Sequence, residues 1–400
     1  MPKIKQKTLL GDYETKIFKN LQEMMDFLKE QAENDVWKRC YIKEIRVKPV
    51  ENNPICIQQI RQDVGISENV PDDSVTDCMA DMKLALTFPY DTLETYPLRY
   101  TAYSSISDRA GISGRSISTF MDKCNQKEMP PQNKAQIFNW GLELYGSRAL
   151  VLVRDNKVSA VLSGDENDYS ILITEELANI LIDNLSLKYP NFAFKAGFAS
   201  HEYTSMTFNL NTAKVEREFL RLTSQHGLSY SRCNAQLKFF TADVGMSAVK
   251  LMPMMETDKG IIPIGTPMSL AHKNKANTLQ FEKMFDMLMP YYEESLKKVE
   301  KLTTIKIKYP AGCLRAVAHF LNMPKKASLV IADQLENMGS CSAYMIYWYL
   351  NQILSEHEAT IKKPLSETSK LRLIEDMSKA IMLDYSNFDH PFQWPNLKSN

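Results

Sequence analysis

The chain has 400 residues, 44% of them hydrophobic and 24% charged, which suits a globular protein with a real core and roughly two domains. Lys plus Arg and Asp plus Glu both number 48, so the net charge is zero and no global basic field points to a nucleic acid. The seven cysteines (Cys40, Cys56, Cys78, Cys124, Cys233, Cys313 and Cys341) are scattered with no CxxC or CxxxC pair, which argues for reduced thiols and against a disulfide framework or a zinc site.

The N-terminal stretch MPKIKQKTLLGDYETK lacks the apolar segment of a signal peptide, and no apolar run approaches the ~20 residues of a membrane-spanning helix. The expectation is a soluble protein of the cytoplasm with no membrane partner. Asp12–Asn34 reads as a helix, with Ile17, Phe18, Leu21, Met24, Met25 and Leu28 at three- and four-residue spacing. Arg39–Val50 alternates as a strand, ended by Pro49 and Pro54. Lys38, Arg39, Lys43, Arg46 and Lys48 make this region basic against a single Glu44. The charge then inverts over Asp63–Glu94, which reads as an exposed connector. Its sharper reading is a surface for a basic protein partner, carried by Asp72, Asp73, Asp77 and Asp81, or an imitation of a phosphate chain.

Ala102–Ala110 reads as a short helix, Gly111 as a turn, and a second helix begins near Ser113. This is the skeleton of a helix-turn-helix with Arg109 and Arg115 on either side of the turn. The second helix would be short, however, and Pro130-Pro131 cut the pattern. Gln132–Tyr145 is a further helix. Ala149–Val153 and Val158–Leu162 are apolar β-type runs around Asp155-Asn156, the clearest hairpin in the chain. Thr174 is the expected cap of a helix over Glu175–Leu187. Phe192–Leu210 reads as two strands with His201-Glu202 exposed at their turn. Thr212–Gln225 is an amphipathic helix, and Gln236–Val249 and Leu251–Met268 are strands. His272, Lys273 and Lys275 form a basic cluster before a long helix from Thr278, which Pro290 should kink or end. The last hundred residues are mainly helical and close on an irregular tail.

No GxGxxG, Walker A, HExxH, GxSxG or EF-hand pattern occurs. The six histidines are dispersed, and none pairs with another His or a Cys at ligand spacing. No catalytic residue, metal or cofactor is expected, and the reading leans away from an enzyme.

Several stretches together resemble a family of phage- and plasmid-type proteins that carry domain of unknown function 932. They are YTAYSSISDRAGISGRSISTFM, the hairpin region around Asn139, Trp140, Leu152, Val153, Arg154, Ala160, Leu162 and Ser163, the turn His272-Lys273-Asn274 before its long helix, and the aromatic helix AYMIYWYLNQIL. The resemblance spans Leu98–Glu356 and departs from the family at Ser163-Gly164-Asp165-Glu166, where many relatives carry a basic residue. It implies a mobile-element context and no particular mechanism.

The blocks of helices and hairpins predict an α+β fold. A central, mostly antiparallel sheet with packed helices is expected over 95–302, an N-terminal helix-strand element and acidic linker over 1–94, and a helical region over 303–400. The functional expectation is a nucleic-acid-binding accessory factor in mobile-element replication or recombination, with DNA or RNA contacted by Arg109, Arg115, Arg154, Lys157, His272, Lys273 and Lys275. The alternative is an interaction protein that inhibits a host defence system by binding a protein of it.

Overall fold

The computed structural model describes residues 14–50, 54–63, 69, 71–72, 83–88, 91–113, 119, 123, 129–225, 227–360 and 365–395, and the fold is α+β as expected. Strand β1 (Lys16–Phe18) precedes helix α1 (Leu21–Asn34). The helix begins later than its apolar spacing suggests because Asn20 caps it, its side-chain oxygen accepting the N–H groups of Gln22 and Glu23. The alternation over Arg39–Val50 is two strands, β2 (Val36–Tyr41) and β3 (Arg46–Pro49), parted by a tight turn at Ile42–Glu44. Helix α2 (Pro54–Asp63), β4 (Leu84–Phe88), β5 (Asp91–Pro97) and helix α3 (Tyr100–Arg109) follow. Gly111 ends the α3 region with φ +64°, a backbone conformation that favours glycine. Helix α4 (Pro131–Glu143) leads into β6 (Arg148–Arg154) and β7 (Lys157–Ser163). The expected hairpin is present. Asp155 and Asn156 hold φ 49° and 57°, the two left-handed residues that a type I′ turn requires.

Thr174 is not a cap. Helix α5 (Thr174–Lys188) follows Ile173, and the Thr174 hydroxyl donates to Asp243 instead. Strands β8 (Ala193–Ala199) and β9 (Thr204–Asn209), helix α6 (Ala213–Ser224), and strands β10 (Cys233–Ala242), β11 (Ser247–Thr257), β12 (Gly260–Pro263) and β13 (Met268–Leu270) come next. Helix α7 (Thr278–Thr304) runs through Pro290 without ending. Buried Phe281, Phe285 and Leu288 before the proline, and Tyr292, Leu296 and Val299 after it, hold both sections on one core. The C-terminal part adds the short pair β14 (Lys306–Ile307) and β15 (Cys341–Ser342) with helices α8 (Pro310–Phe320), α9 (Lys325–Asp333), α10 (Ala343–Thr360) and α11 (Glu367–Lys379).

Strands β1-β8-β9-β10-β11-β12 form an antiparallel sheet, with β13 added beside β11. Along β10, Ala235, Leu237 and Phe239 enter the large core, where Phe239 meets Phe281 of α7. The alternate Gln236 bonds Asn209 and Glu256 across the sheet, and Lys250 of β11 pairs with Glu375 of α11. Phe18 and Leu28 near the N-terminus and Leu371 and Tyr385 near the C-terminus belong to this same core, so packing crosses the expected segment borders.

A second core lies between the sheet β2-β6-β7, the sheet β3-β4-β5 and helices α3 and α4. Ala149, Val151, Val153, Val158 and Val161 point into it. The opposite face of the hairpin, through Leu150, Leu152, Ala160 and Leu162, packs on Tyr169 and Val244. Both faces of β6 and β7 are therefore covered, which accounts for their unbroken apolar runs.

Candidate nucleic-acid interface

The open end of the hairpin forms one wall of a groove of about 630 Å³. Four basic side chains line it: Arg39, Arg109, Arg148 and Lys275. Pairing explains the first part. Tyr41 of β2 stands opposite Arg148 of β6, and Arg39 lies two residues earlier on the same face. The Arg148 guanidinium sits 5.7 Å from the Tyr41 ring centre, a cation–π contact. Helix α3 brings in Arg109. Thr101 donates to the Ser159 carbonyl at 2.8 Å, and Ser105 accepts the Val161 N–H at 2.9 Å, so the helix is fastened along β7. Arg109, one turn beyond Ser105, then reaches the hairpin mouth.

Lys275 arrives from a distant turn. Asn274 and Lys275 both have φ 57°, and their N–H groups donate to the carbonyls of Asn167 (2.8 Å) and Glu166 (3.1 Å). The two turns are thus zipped together by backbone bonds.

Three carboxylates, Asp165, Glu166 and Asp168, share the groove. Asp165 accepts from the Asn167 backbone and side chain, Asp168 from the Ser163 hydroxyl, and Glu166 lies 3.4 Å from Arg39. Among the described residues Arg109, Arg148 and Lys275 have no carboxylate partner. Four cations against three carboxylates leave the groove with one net positive charge, and Arg109, Arg148 and Lys275 stand without an ion-pair partner beside an exposed aromatic ring.

No protein family, curated protein or solved structure matches the chain.

The expected contact residues divide. Arg109 and Lys275 meet in the groove; Lys273 is exposed but does not line it. Arg115 lies outside the described residues. Arg154, Lys157 and His272 are corrections: all three are buried and cannot reach a phosphate chain. Arg154, at the turn end of the hairpin, bonds Asp35 through Nε (2.7 Å) and Nη2 (2.5 Å) and Asp243 through Nη2 (2.9 Å). Burial alone would depress its pKa, but the two carboxylates raise it, so it stays a fixed cation. Burial raises the Asp35 pKa against the opposing pull of Arg154.

His272 stacks on Tyr169 at 5.2 Å, and its Nδ1 lies 3.1 Å from the Ser170 carbonyl. Burial lowers its pKa, with Asp243 opposing. His201, expected to be exposed, is also buried, its Nε2 2.5 Å from an Arg99 nitrogen. A guanidinium only donates, so this imidazole nitrogen accepts.

Of the acidic candidates, Asp72 is exposed and pairs with Arg61 at 2.5 Å, while Asp73, Asp77 and Asp81 lie outside the described residues. No group of ligand side chains suited to a metal occurs among the described residues, and no described helix is long and apolar enough to cross a membrane. Arg39 stood in the basic Lys38–Lys48 stretch without being chosen as a contact, and Arg148 was missed altogether. Its signal was a basic residue on the first position of the strongest strand, where the side chain leaves the sheet edge.

Proposed function

We propose that the chain binds the sugar-phosphate backbone of a nucleic acid, single strands in preference to duplex, in the groove at the hairpin mouth. The observation that carries this reading is the convergence of Arg109, Arg148 and Lys275 from three separate chain segments on one surface, with Arg39, paired to Glu166, beside them. Phosphate neutralisation needs cations that share a face and are not already paired. The Tyr41 ring beside Arg148 supplies a stacking surface, which single strands use and paired bases do not. An accessory role in mobile-element replication or recombination belongs to the same proposal and rests on the family resemblance.

The test is fluorescence anisotropy with a labelled single-stranded oligonucleotide over a salt series. Three or four neutralised phosphates give a log–log salt slope of about −2 to −3. Arg109→Glu and Lys275→Glu should each reduce that slope by about one. Lys273→Glu, outside the groove, should leave it nearly unchanged. Absence of binding at low salt, or equal effects of Lys273→Glu and Lys275→Glu, rejects the groove as the interface.

A further inference from the structure

A second, smaller cavity of about 120 Å³ opens beside the junction between the two cores. Its polar wall is made by Asp35, Asp243 and Glu175, and no basic side chain lines it. Arg154 binds both aspartates from behind, and buried Arg99 adds its field, so these two cations balance the two aspartates. Glu175 leaves the wall one negative charge in excess.

Two further features distinguish this cavity from a mere cluster of acids. Gln31 lines it, is only 6% exposed, and its side-chain amide makes no hydrogen bond among the described residues. The amide keeps its hydrogen-bonding capacity free of protein partners, so it can serve a guest in the cavity. The Trp37 ring also lines the cavity, held against Tyr169 at 6.4 Å, and an indole face is the strongest of the aromatic cation acceptors. Leu28, Ala32 and Ile173 supply an apolar side.

We infer that this cavity binds the ammonium end of an alkylamine. Three N–H donors match the spare lone pairs of the aspartates and the Gln31 amide oxygen, Trp37 faces the charge, and a short methylene stem lies on the apolar side. The volume is somewhat below the ~150 Å³ that holds a benzene, which limits the guest to about four carbons beyond the nitrogen. A protonated small amine and a lysine side chain of a peptide share this chemistry. The raised Asp35 pKa, caused by burial, is consistent with a carboxylate that gains from an added cation.

The test is isothermal titration calorimetry on the full chain at constant ionic strength, with n-butylammonium chloride, the neutral isostere n-butanol, and Nα-acetyl-lysine methylamide. Saturable binding of butylammonium, at least tenfold tighter than butanol, and at least threefold weakening in Glu175→Gln support the site. Gln31→Leu is a second variant, with circular dichroism melts to verify that both fold. Tighter binding of the lysine derivative than of butylammonium assigns the natural guest to a peptide; the reverse assigns it to a free amine. No saturable heat with either amine, equal binding of butanol, or unaltered affinity in both variants overturns the proposal.

Discussion

Replacing Arg154 with leucine tests how the two cores are joined. The guanidinium is only 4% exposed and is bound by two carboxylates whose side chains are 11% and 10% exposed. Leucine keeps the apolar volume of the hairpin end but leaves Asp35 and Asp243 facing each other without their cation. Removing one partner of a buried ion group typically costs about 3–5 kcal/mol, because the remaining charge stays desolvated. The expected result is a loss of that size in urea unfolding followed by circular dichroism at pH 8. The sign of the pH dependence is also determined. Asp35 already has a raised pKa from burial, and losing Arg154 removes the pull that opposes it. An aspartate whose folded pKa lies above its unfolded value disfavours the native state most at high pH, where it must stay ionised. The deficit of Arg154→Leu should therefore shrink as pH falls toward 5. Asp35→Asn combined with Arg154→Leu should recover part of the loss, since one stranded charge is gone. A loss below about 1 kcal/mol, the range of exposed pairs, would mean that the junction is hydrated and does not hold the cores together. So would a deficit that grows on acidification.

Two further expectations rest on particular contacts. A Cβ on Gly164 would lie 2.6 Å from the Arg148 Cβ and 2.9 Å from its carbonyl carbon, so Gly164→Ala should cost about 1–3 kcal/mol in thermal unfolding and displace Arg148 from the groove; a neutral melt would contradict that close approach. His272 has a pKa lowered by burial, so its folded state resists the proton that the unfolded chain accepts near pH 6.5. Its contribution is complete above that value and fades as pH falls below it, so wild-type stability should drop between pH 7 and 5, with a shallower slope in His272→Phe.

What the sequence disclosed was local. The hairpin was legible because Asp155-Asn156 can adopt the left-handed turn and because both flanking strands are apolar on both faces. The helix over 278–304 was legible from its periodicity, but its passage through Pro290 was not, since tertiary packing on either side outweighs the lost hydrogen bond. The fate of Arg154 was hidden for another reason. Its partners Asp35 and Asp243 are 119 and 89 residues away, and nothing near Arg154 in the chain distinguishes a buried guanidinium from a surface one. The run His272, Lys273, Lys275 looked like one basic patch. Two successive left-handed residues at 274 and 275 turn the backbone so that the imidazole enters the core while Lys275 reaches the groove. Half of the groove's basic residues were foreseen as contacts, Arg109 and Lys275, because they lie at visible turns. Arg148 and Arg39 depend on strand pairing between β2 and β6, which no local pattern specifies.

The hairpin has different chemistry at its two ends. Arg148 and Ser163 lie at the groove, and Arg154 lies at the junction, a strand of seven residues away, or about 20 Å. Because both faces of the hairpin are packed, it behaves as a rigid strut between them. The segment from Gly164 to Thr174 makes the same journey on its other side. Its first residues line the groove, Tyr169 stacks on His272 and donates to the Asp243 carbonyl, and Thr174 donates to the Asp243 carboxylate. Lys275 is held to this segment through Glu166. The groove's position therefore depends on the junction through two continuous paths, one apolar and one hydrogen-bonded. Loosening the junction displaces Arg148 and Lys275 relative to Arg109, which rides on α3. Among stable variants, changes at the junction should weaken an anionic ligand without altering any residue that touches it. Charge substitutions at the groove residues Arg109 and Lys275 should leave the stability of the junction intact.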